Sequence, residues 1–95
     1  MSTATTMQSF VEHFLDERHR LGFASRSMGY ALRSFATHVD AQALTGPLRI
    51  EVMASWARCP KNASDDPRTW ARRLKILRPF ARWFRQFEPG TAVPD

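Results

Sequence analysis

The chain has 95 residues, the length of one small domain, and a net charge of +5 at pH 7. Hydrophobic residues make up 43%, with seven Phe and three Trp, so the chain can bury a core and is not disordered. A single cysteine excludes an internal disulfide and fits a reducing cytoplasm. No apolar run approaches the ~20 residues that span a bilayer, and the first residues lack the features of a secretory signal. The positive charge indicates an anionic partner, with nucleic acid first and a membrane surface second.

A first helix is predicted over about 6–21, with residues 1–6 flexible up to its start. Thr6 is the expected N-cap, and Gly22 is expected to close the helix in a left-handed conformation. The charged residues of this helix lie mostly off its apolar stripe and form a solvated face. The stripe consists of Met7, Phe10, Val11, Phe14, Leu15 and Leu21.

A second helix is predicted over about 26–41, with Ser25 as its N-cap. Gly29 inside this helix costs about 1 kcal/mol relative to Ala, and it allows either close helix packing or close approach of a ligand. The face opposite the apolar stripe is polar and carries Arg26, Tyr30, Arg33 and Thr37.

A third helix is predicted to begin with Pro47 at its first position, capped by Thr45 or Gly46, and to end before Pro60. A fourth follows a short connector. No strand pattern or internal repeat is present. Four helices with short connections predict an all-α fold, a compact four-helix bundle.

The fourth helix is predicted over 65–87, with Ser64 or Asp65 as its cap. Pro79 lies inside it and removes a backbone hydrogen bond. Because the apolar and basic periodicities continue through Pro79 in phase, we expect a kink, with a split near Arg78 as the alternative.

The two sides of this fourth helix differ sharply. One side has two apolar rows, and the other has a basic row without acidic residues in the helix body to relieve the repulsion between neighbouring cations. Arginine stems that merely cover apolar surface are the simpler explanation. The unbalanced charge instead favours binding to phosphates along a nucleic-acid groove. The apolar rows are Trp70, Leu74, Leu77, Ala81 and Phe84, then Ile76, Phe80, Trp83 and Phe87; the basic row is Arg68, Arg72, Lys75, Arg78, Arg82 and Arg85.

Two further residues of the fourth helix are candidates for the same surface. The Thr69 hydroxyl can donate to a phosphate near the helix start. Arg73 lies nearer the apolar boundary, so it has either a binding role or a structural one.

Chemistry beyond binding is not indicated. The three histidines and Cys59 lack the spacing of a zinc site, and no glycine-rich phosphate loop is present. Glu12 and Asp16 share a face, but on a solvated helix without signs of a pocket. We therefore expect no metal, no cofactor and no catalytic pair.

Several segments together carry a family resemblance. They are residues 10–15, 22–25, 30–35, Leu44, Trp56-Ala57, 72–84 and 88–94, and the run Arg78-Pro79-Phe80-Ala81-Arg82 is the most specific of them. Over nearly its whole length the chain resembles the N-terminal core-binding (SAM-like) domain of tyrosine recombinases, the phage-integrase family.

This resemblance implies a four-helix domain, residues 7–88, that forms half of a C-shaped clamp on DNA, with 89–95 beginning a linker to a catalytic domain. Tyr30 is the only tyrosine and does not lie in a catalytic context, so we expect no strand cleavage by this chain. The resemblance places the second and fourth helices towards the major groove, which maps onto Ser25, Arg26, Tyr30, Arg33, Thr69, Arg72, Arg73, Lys75 and Arg82.

The sequence thus predicts a cytoplasmic module that binds double-stranded DNA without a membrane partner. The isolated domain is expected to be a monomer that meets other recombinase subunits on DNA. One alternative is a helical protein-interaction module whose basic face docks on an acidic partner. A membrane-surface helix is a weaker alternative, because the bulky apolar face suits a bundle.

Overall fold

The structure is a computed structural model that describes residues 6–22, 26–44, 46–58 and 66–94. Within these ranges it has no strand and four helices, α1 (Met7–Arg20), α2 (Arg26–Ala41), α3 (Ile50–Ala57) and α4 (Pro67–Phe84), which confirms the all-α, four-helix prediction. None of these helices combines the length and hydropathy needed to cross a bilayer. The chain divides into two compact units, Met1–Leu44 and Thr45–Asp95.

In the first unit, the start of α1 is capped twice. The Thr6 hydroxyl oxygen accepts from the Ser9 N–H at 3.1 Å, as predicted. The Asp40 carboxylate, near the end of α2, accepts from the N–H groups of Met7 and Gln8 at 2.9 and 3.0 Å. Because the first N–H groups of a helix have no partner within it and its dipole favours a negative charge there, this carboxylate links the end of α2 to the start of α1.

The end of α1 follows the prediction with one exception. Gly22 adopts a positive φ of 86°, and its N–H donates to the His19 carbonyl at 3.1 Å. Leu21 was predicted on the apolar stripe, but it is 71% exposed. Leu21 is the C-cap residue: its N–H still donates to the Glu17 carbonyl at 3.2 Å, but its side chain lies past the last turn of α1 and is not covered. The buried side chains of this unit are Met7, Val11, Phe14, Leu32, Phe35, Ala36 and Val39.

Gly29 is buried in α2, but its surroundings do not require a glycine. A Cβ placed there would lie 3.4 Å from Arg33 Nη1 and 4.0 Å from Leu15 Cδ1. Both neighbours are the ends of flexible side chains, and both distances are those of ordinary van der Waals contacts. Close backbone packing therefore does not explain this residue.

Gly29→Ala is expected to stabilise the protein by about 0.5–1 kcal/mol, because alanine has the higher helix propensity and fits the available space. Urea denaturation followed by circular dichroism measures the change. A variant less stable than the wild type would show that the methyl group displaces Arg33 or Leu15 at a greater cost.

In the second unit, α3 begins three residues later than predicted, at Ile50 instead of Pro47. Its N-cap is Arg49, whose side chain makes no capping hydrogen bond, so the prediction that Thr45 or Gly46 caps this helix is wrong. The backbone hydrogen bonds of Leu48, the residue before this cap, explain the late start.

Leu48 is paired with residues 91–94, which we call the C-terminal segment. The Leu48 N–H donates to the Thr91 hydroxyl oxygen at 3.1 Å, and the Leu48 carbonyl accepts from the Ala92 N–H at 2.9 Å. A helical Leu48 carbonyl would accept from the N–H of Val52. It accepts from Ala92 instead, and the Val52 N–H donates to the Arg49 carbonyl at 3.1 Å, so Leu48 lies outside α3. Thr91 is 1% exposed and Pro94 is buried, so the C-terminal segment is anchored to this unit.

The cap of α4 is Asp66, whereas the prediction named Ser64 or Asp65, two residues and one residue earlier, which lie outside the described residues. Its carboxylate accepts from the Arg68 N–H at 3.0 Å. Pro67 follows as the first helical residue, a position where its missing N–H costs nothing. Proline at that position therefore fixes which acidic residue becomes the cap.

Pro79 does not interrupt α4, so the alternative of a split near Arg78 is wrong. The helix ends at Phe84, and Phe87 lies beyond it in a turn, 44% exposed, with its ring centroid 5.0 Å from that of Trp83. The buried hydrophobic residues of this unit are Leu48, Met53, Trp56, Ala57, Leu77, Phe80, Ala81 and Phe84.

Thr91→Val is expected to lower the free energy of unfolding by about 1–3 kcal/mol, because it leaves the buried Leu48 N–H without an acceptor while preserving shape. The matched control is Thr37→Val, since the Thr37 hydroxyl is exposed and bonds only the Arg33 carbonyl of its own helix. The control should change stability by less than about 0.5 kcal/mol in the same urea titration. Equal effects at both sites would contradict an anchoring role for Thr91.

Candidate nucleic-acid interface

The exposed side of α4 presents four cations in one row. The residues are spaced by four, three and seven positions, so they lie on one side of the helix and extend over about 21 Å of its length. All four are exposed, and in the part of the chain that the structure describes none has a hydrogen bond or ion pair through its side chain. We call this set the α4 basic row: Arg68, Arg72, Lys75 and Arg82.

The charge of this row is not balanced by acidic residues of the same helix. The sequence of α4 contains no Asp or Glu, and the carboxylate of the preceding Asp66 is bonded to the backbone at the helix start. Like charges three and four residues apart repel each other on a helix. The row is therefore slightly unfavourable for the isolated protein and favourable once an anion lies against it.

Three other arginines of the predicted site are bonded to backbone carbonyls. Arg73 Nη1 donates to the Ala57 carbonyl at 2.7 Å, which supports the structural alternative for this residue. Arg78 Nε donates to the Pro94 carbonyl at 3.0 Å, and Arg85 Nε donates to the Thr91 carbonyl at 2.8 Å. Both of the latter bonds hold the C-terminal segment. Thr69, also predicted for this surface, is half-buried near the helix start.

The polar face of α2 carries a second group of predicted residues. Arg26 is exposed, and Tyr30 is 81% exposed. Arg33 is bound by a residue of α1: its Nε and Nη2 donate to the Glu12 carboxylate at 2.8 and 3.2 Å. Ser25, the remaining predicted residue, lies outside the described residues.

The Glu12–Arg33 pair shifts the pKa of both partners. The hydrogen bond from Arg33 is the largest cause that lowers the pKa of Glu12; burial opposes it, and the positive charge of Arg33 and the hydrogen bond from Gln8 add to the lowering. The same hydrogen bond and the charge of Glu12 raise the pKa of Arg33. A further bond from Gln8 Nε2 to Glu12 Oε2, at 2.9 Å, holds the carboxylate in place.

Sequence reasoning missed this pair. It assigned Glu12 to a solvated face. The neighbouring Asp16–Arg20 pair, with an N–O distance of 3.3 Å, is of a kind that a sequence pattern can indicate. The difference is that Asp16 and Arg20 are four residues apart on one helix, whereas Glu12 and Arg33 meet only when α1 packs on α2.

Glu12→Gln is expected to lower the free energy of unfolding at pH 7 by about 0.2–1 kcal/mol, the range of an exposed ion pair. Because the folded protein lowers the pKa of Glu12, this stabilisation is present above its unfolded value of about 4.3 and disappears as the pH falls through the folded value. Urea titrations of both proteins at pH 7, 5 and 3 measure the difference. A difference that does not depend on pH would contradict a contribution from the charged pair.

Among the described residues, no cluster of His, Cys, Asp or Glu side chains could hold a metal ion. The arrangement offers positive charge and hydrogen-bond donors on exposed helix faces. Such surfaces bind anions.

A comparison with known proteins points to recombinases. Over 90 residues the chain is 32% identical to "Putative integrase/recombinase y4rB" of Sinorhizobium fredii, and the match covers 95% of this chain and 28% of that protein. No family profile matches the chain, and no solved structure matches it. The chain therefore spans little more than a quarter of the relative's length. It is a partial homologue of an integrase/recombinase, which supports the integrase resemblance of its sequence.

Proposed function

We propose that this chain is the DNA-binding, core-binding domain of a site-specific tyrosine recombinase or integrase, and that it grips duplex DNA without performing catalysis itself. The observation that carries the proposal is the α4 basic row, four exposed cations in line that have no acidic partner in the described part of the chain. The partial homology to a putative integrase/recombinase supports the same conclusion independently of charge.

The α4 basic row supplies the phosphate contacts. Phosphate oxygens accept well from guanidinium and ammonium groups, and each neutralised phosphate releases counterions from the duplex. Four such contacts predict a slope of about −3.6 for the logarithm of the binding constant against the logarithm of salt concentration. The Thr69 hydroxyl adds a neutral donor at the start of the row.

On α2, Arg26 and Tyr30 contribute a second contact surface. An exposed tyrosine beside a cation can contact a phosphate or the sugar through its hydroxyl. Arg73, Arg78 and Arg85 add to the positive field of the domain, although each also donates to a backbone carbonyl.

The remaining parts of the proposal follow from this assignment. Domains of this kind meet other recombinase subunits on DNA, so the isolated chain is proposed to be a monomer that assembles only on its target. The proposed site of action is the cytoplasm, where the domain would meet DNA.

The test is a fluorescence-anisotropy titration of a ~20-bp duplex at several salt concentrations, with the wild type and Arg72→Gln/Lys75→Gln. We expect the double variant to flatten the salt slope by about 1.8, because it removes two phosphate contacts. The control is Arg49→Gln/Arg58→Gln, which removes the same charge from exposed residues that flank α3 and should leave the slope nearly unchanged.

Two outcomes would contradict the proposal. Absence of binding at low salt would remove the DNA-binding function, and equal losses in the two double variants would remove the assignment to α4. Weak salt dependence, together with displacement of DNA by an acidic protein ligand, would instead favour a helical protein-interaction module.

A further inference from the structure

The Glu12–Arg33 pair lies on the face of α2 that is proposed to meet DNA, and it removes a positive charge from that face. Both oxygens of the carboxylate accept from the guanidinium, at 2.8 and 3.2 Å. Arg26, on the same face, is exposed and has no side-chain partner among the described residues. The charge of Arg33 is therefore paired with a carboxylate, whereas the charge of Arg26 is not.

The guanidinium of Arg33 is held close to its own helix. Its Nη1 lies 3.4 Å from the position that a Cβ of residue 29 would take, one helical turn before Arg33. Its Nε and Nη2 point to Glu12, and Gln8 holds that carboxylate from α1. The Nε–Nη2 edge, one of the two edges through which a guanidinium makes a two-point contact with an anion, is thus already used.

A DNA phosphate and the Glu12 carboxylate compete for the Nε–Nη2 edge of Arg33. Both are anionic oxygen acceptors that suit the planar fork of a guanidinium, and they repel each other. The carboxylate does not bind Arg33 so tightly that a phosphate is excluded. The side chains of Arg33 and Glu12 remain 55% and 46% exposed, and a surface ion pair is weak. DNA that gains enough from its other contacts can therefore displace the carboxylate.

We infer that Glu12 is a specificity-determining residue, which withholds Arg33 from DNA phosphates and so weakens binding to duplexes that offer phosphate contacts alone. The inference rests on the proposed function. Phosphate contacts carry no sequence information, whereas they dominate non-specific affinity. Because the Glu12 carboxylate occupies Arg33, it removes one phosphate contact and lowers non-specific binding. A duplex that fits the rest of the surface can still displace the carboxylate and bind Arg33.

The experiment is a double-mutant cycle on the full chain with the wild type, Glu12→Gln, Arg33→Gln and the double variant. Anisotropy titrations use a ~20-bp duplex of arbitrary sequence between 50 and 200 mM salt. Glu12→Gln should tighten binding about 3–10-fold at 50 mM salt and steepen the salt slope by about 0.9, the value for one more phosphate. Arg33→Gln alone should weaken binding, because it leaves the Glu12 carboxylate unpaired on the face proposed to meet the phosphates.

In the Arg33→Gln background, Glu12→Gln should tighten binding less than about twofold and leave the salt slope unchanged, since the larger gain depends on a released Arg33. The matched control is Asp16→Asn, which makes the same change in net charge and also breaks an ion pair of α1, the one with Arg20. It should tighten binding less than about twofold. Circular dichroism confirms that each variant is folded.

The inference is overturned if Asp16→Asn matches Glu12→Gln, or if the gain persists without Arg33, because net charge alone would then explain it. Unchanged affinity of Glu12→Gln in a wild type that binds DNA overturns the inference and leaves the proposed function standing. Absence of DNA binding in every variant removes both.

Discussion

The unit Thr45–Asp95 depends on the pairing of Leu48 with the C-terminal segment. Two hydrogen bonds join Leu48, which precedes the cap of α3, to the buried Thr91 and to Ala92, which follow α4. This constraint sets the start of α3, because the Leu48 carbonyl is bonded to Ala92 and does not accept from the fourth residue along the chain, as a helical carbonyl does. It also fixes the path of the chain after α4 and brings two backbone carbonyls within reach of Arg78 and Arg85.

The same constraint divides the arginines of α4 into two groups. In sequence they form one basic row of equal members. In the folded unit, some stabilise the backbone and the others remain exposed, with their charge available to a partner. The periodicity of the sequence shows which side of the helix carries charge, but not which cations donate hydrogen bonds to the protein's own backbone. The distinction matters for binding, because a guanidinium that leaves a carbonyl to meet a phosphate must first give up that bond.

In the unit Met1–Leu44, two carboxylates connect α1 and α2. Asp40 caps the start of α1 from the end of α2, and Glu12 neutralises Arg33 across the two helices. One contact stabilises the helix pair, and the other sets the charge of the exposed face of α2. The two units therefore present different surfaces, one with an unbalanced row of cations and one with a cation partly cancelled. Both surfaces suit the proposed binding to DNA, because phosphate contacts raise affinity but carry no sequence information.

The sequence by itself determined the four helices, the cap at Thr6, the turn at Gly22 and the basic side of α4, because these depend on spacings of a few residues and on local hydrogen bonds. It placed the start of α3 wrongly and left Arg33 without a partner. Only the tertiary structure decided the pairing of Leu48 with Thr91, the cap from Asp40 and the Glu12–Arg33 pair. Their partners are 43, 33 and 21 residues apart, so no local pattern contains them, and they form only when the helices and segments pack.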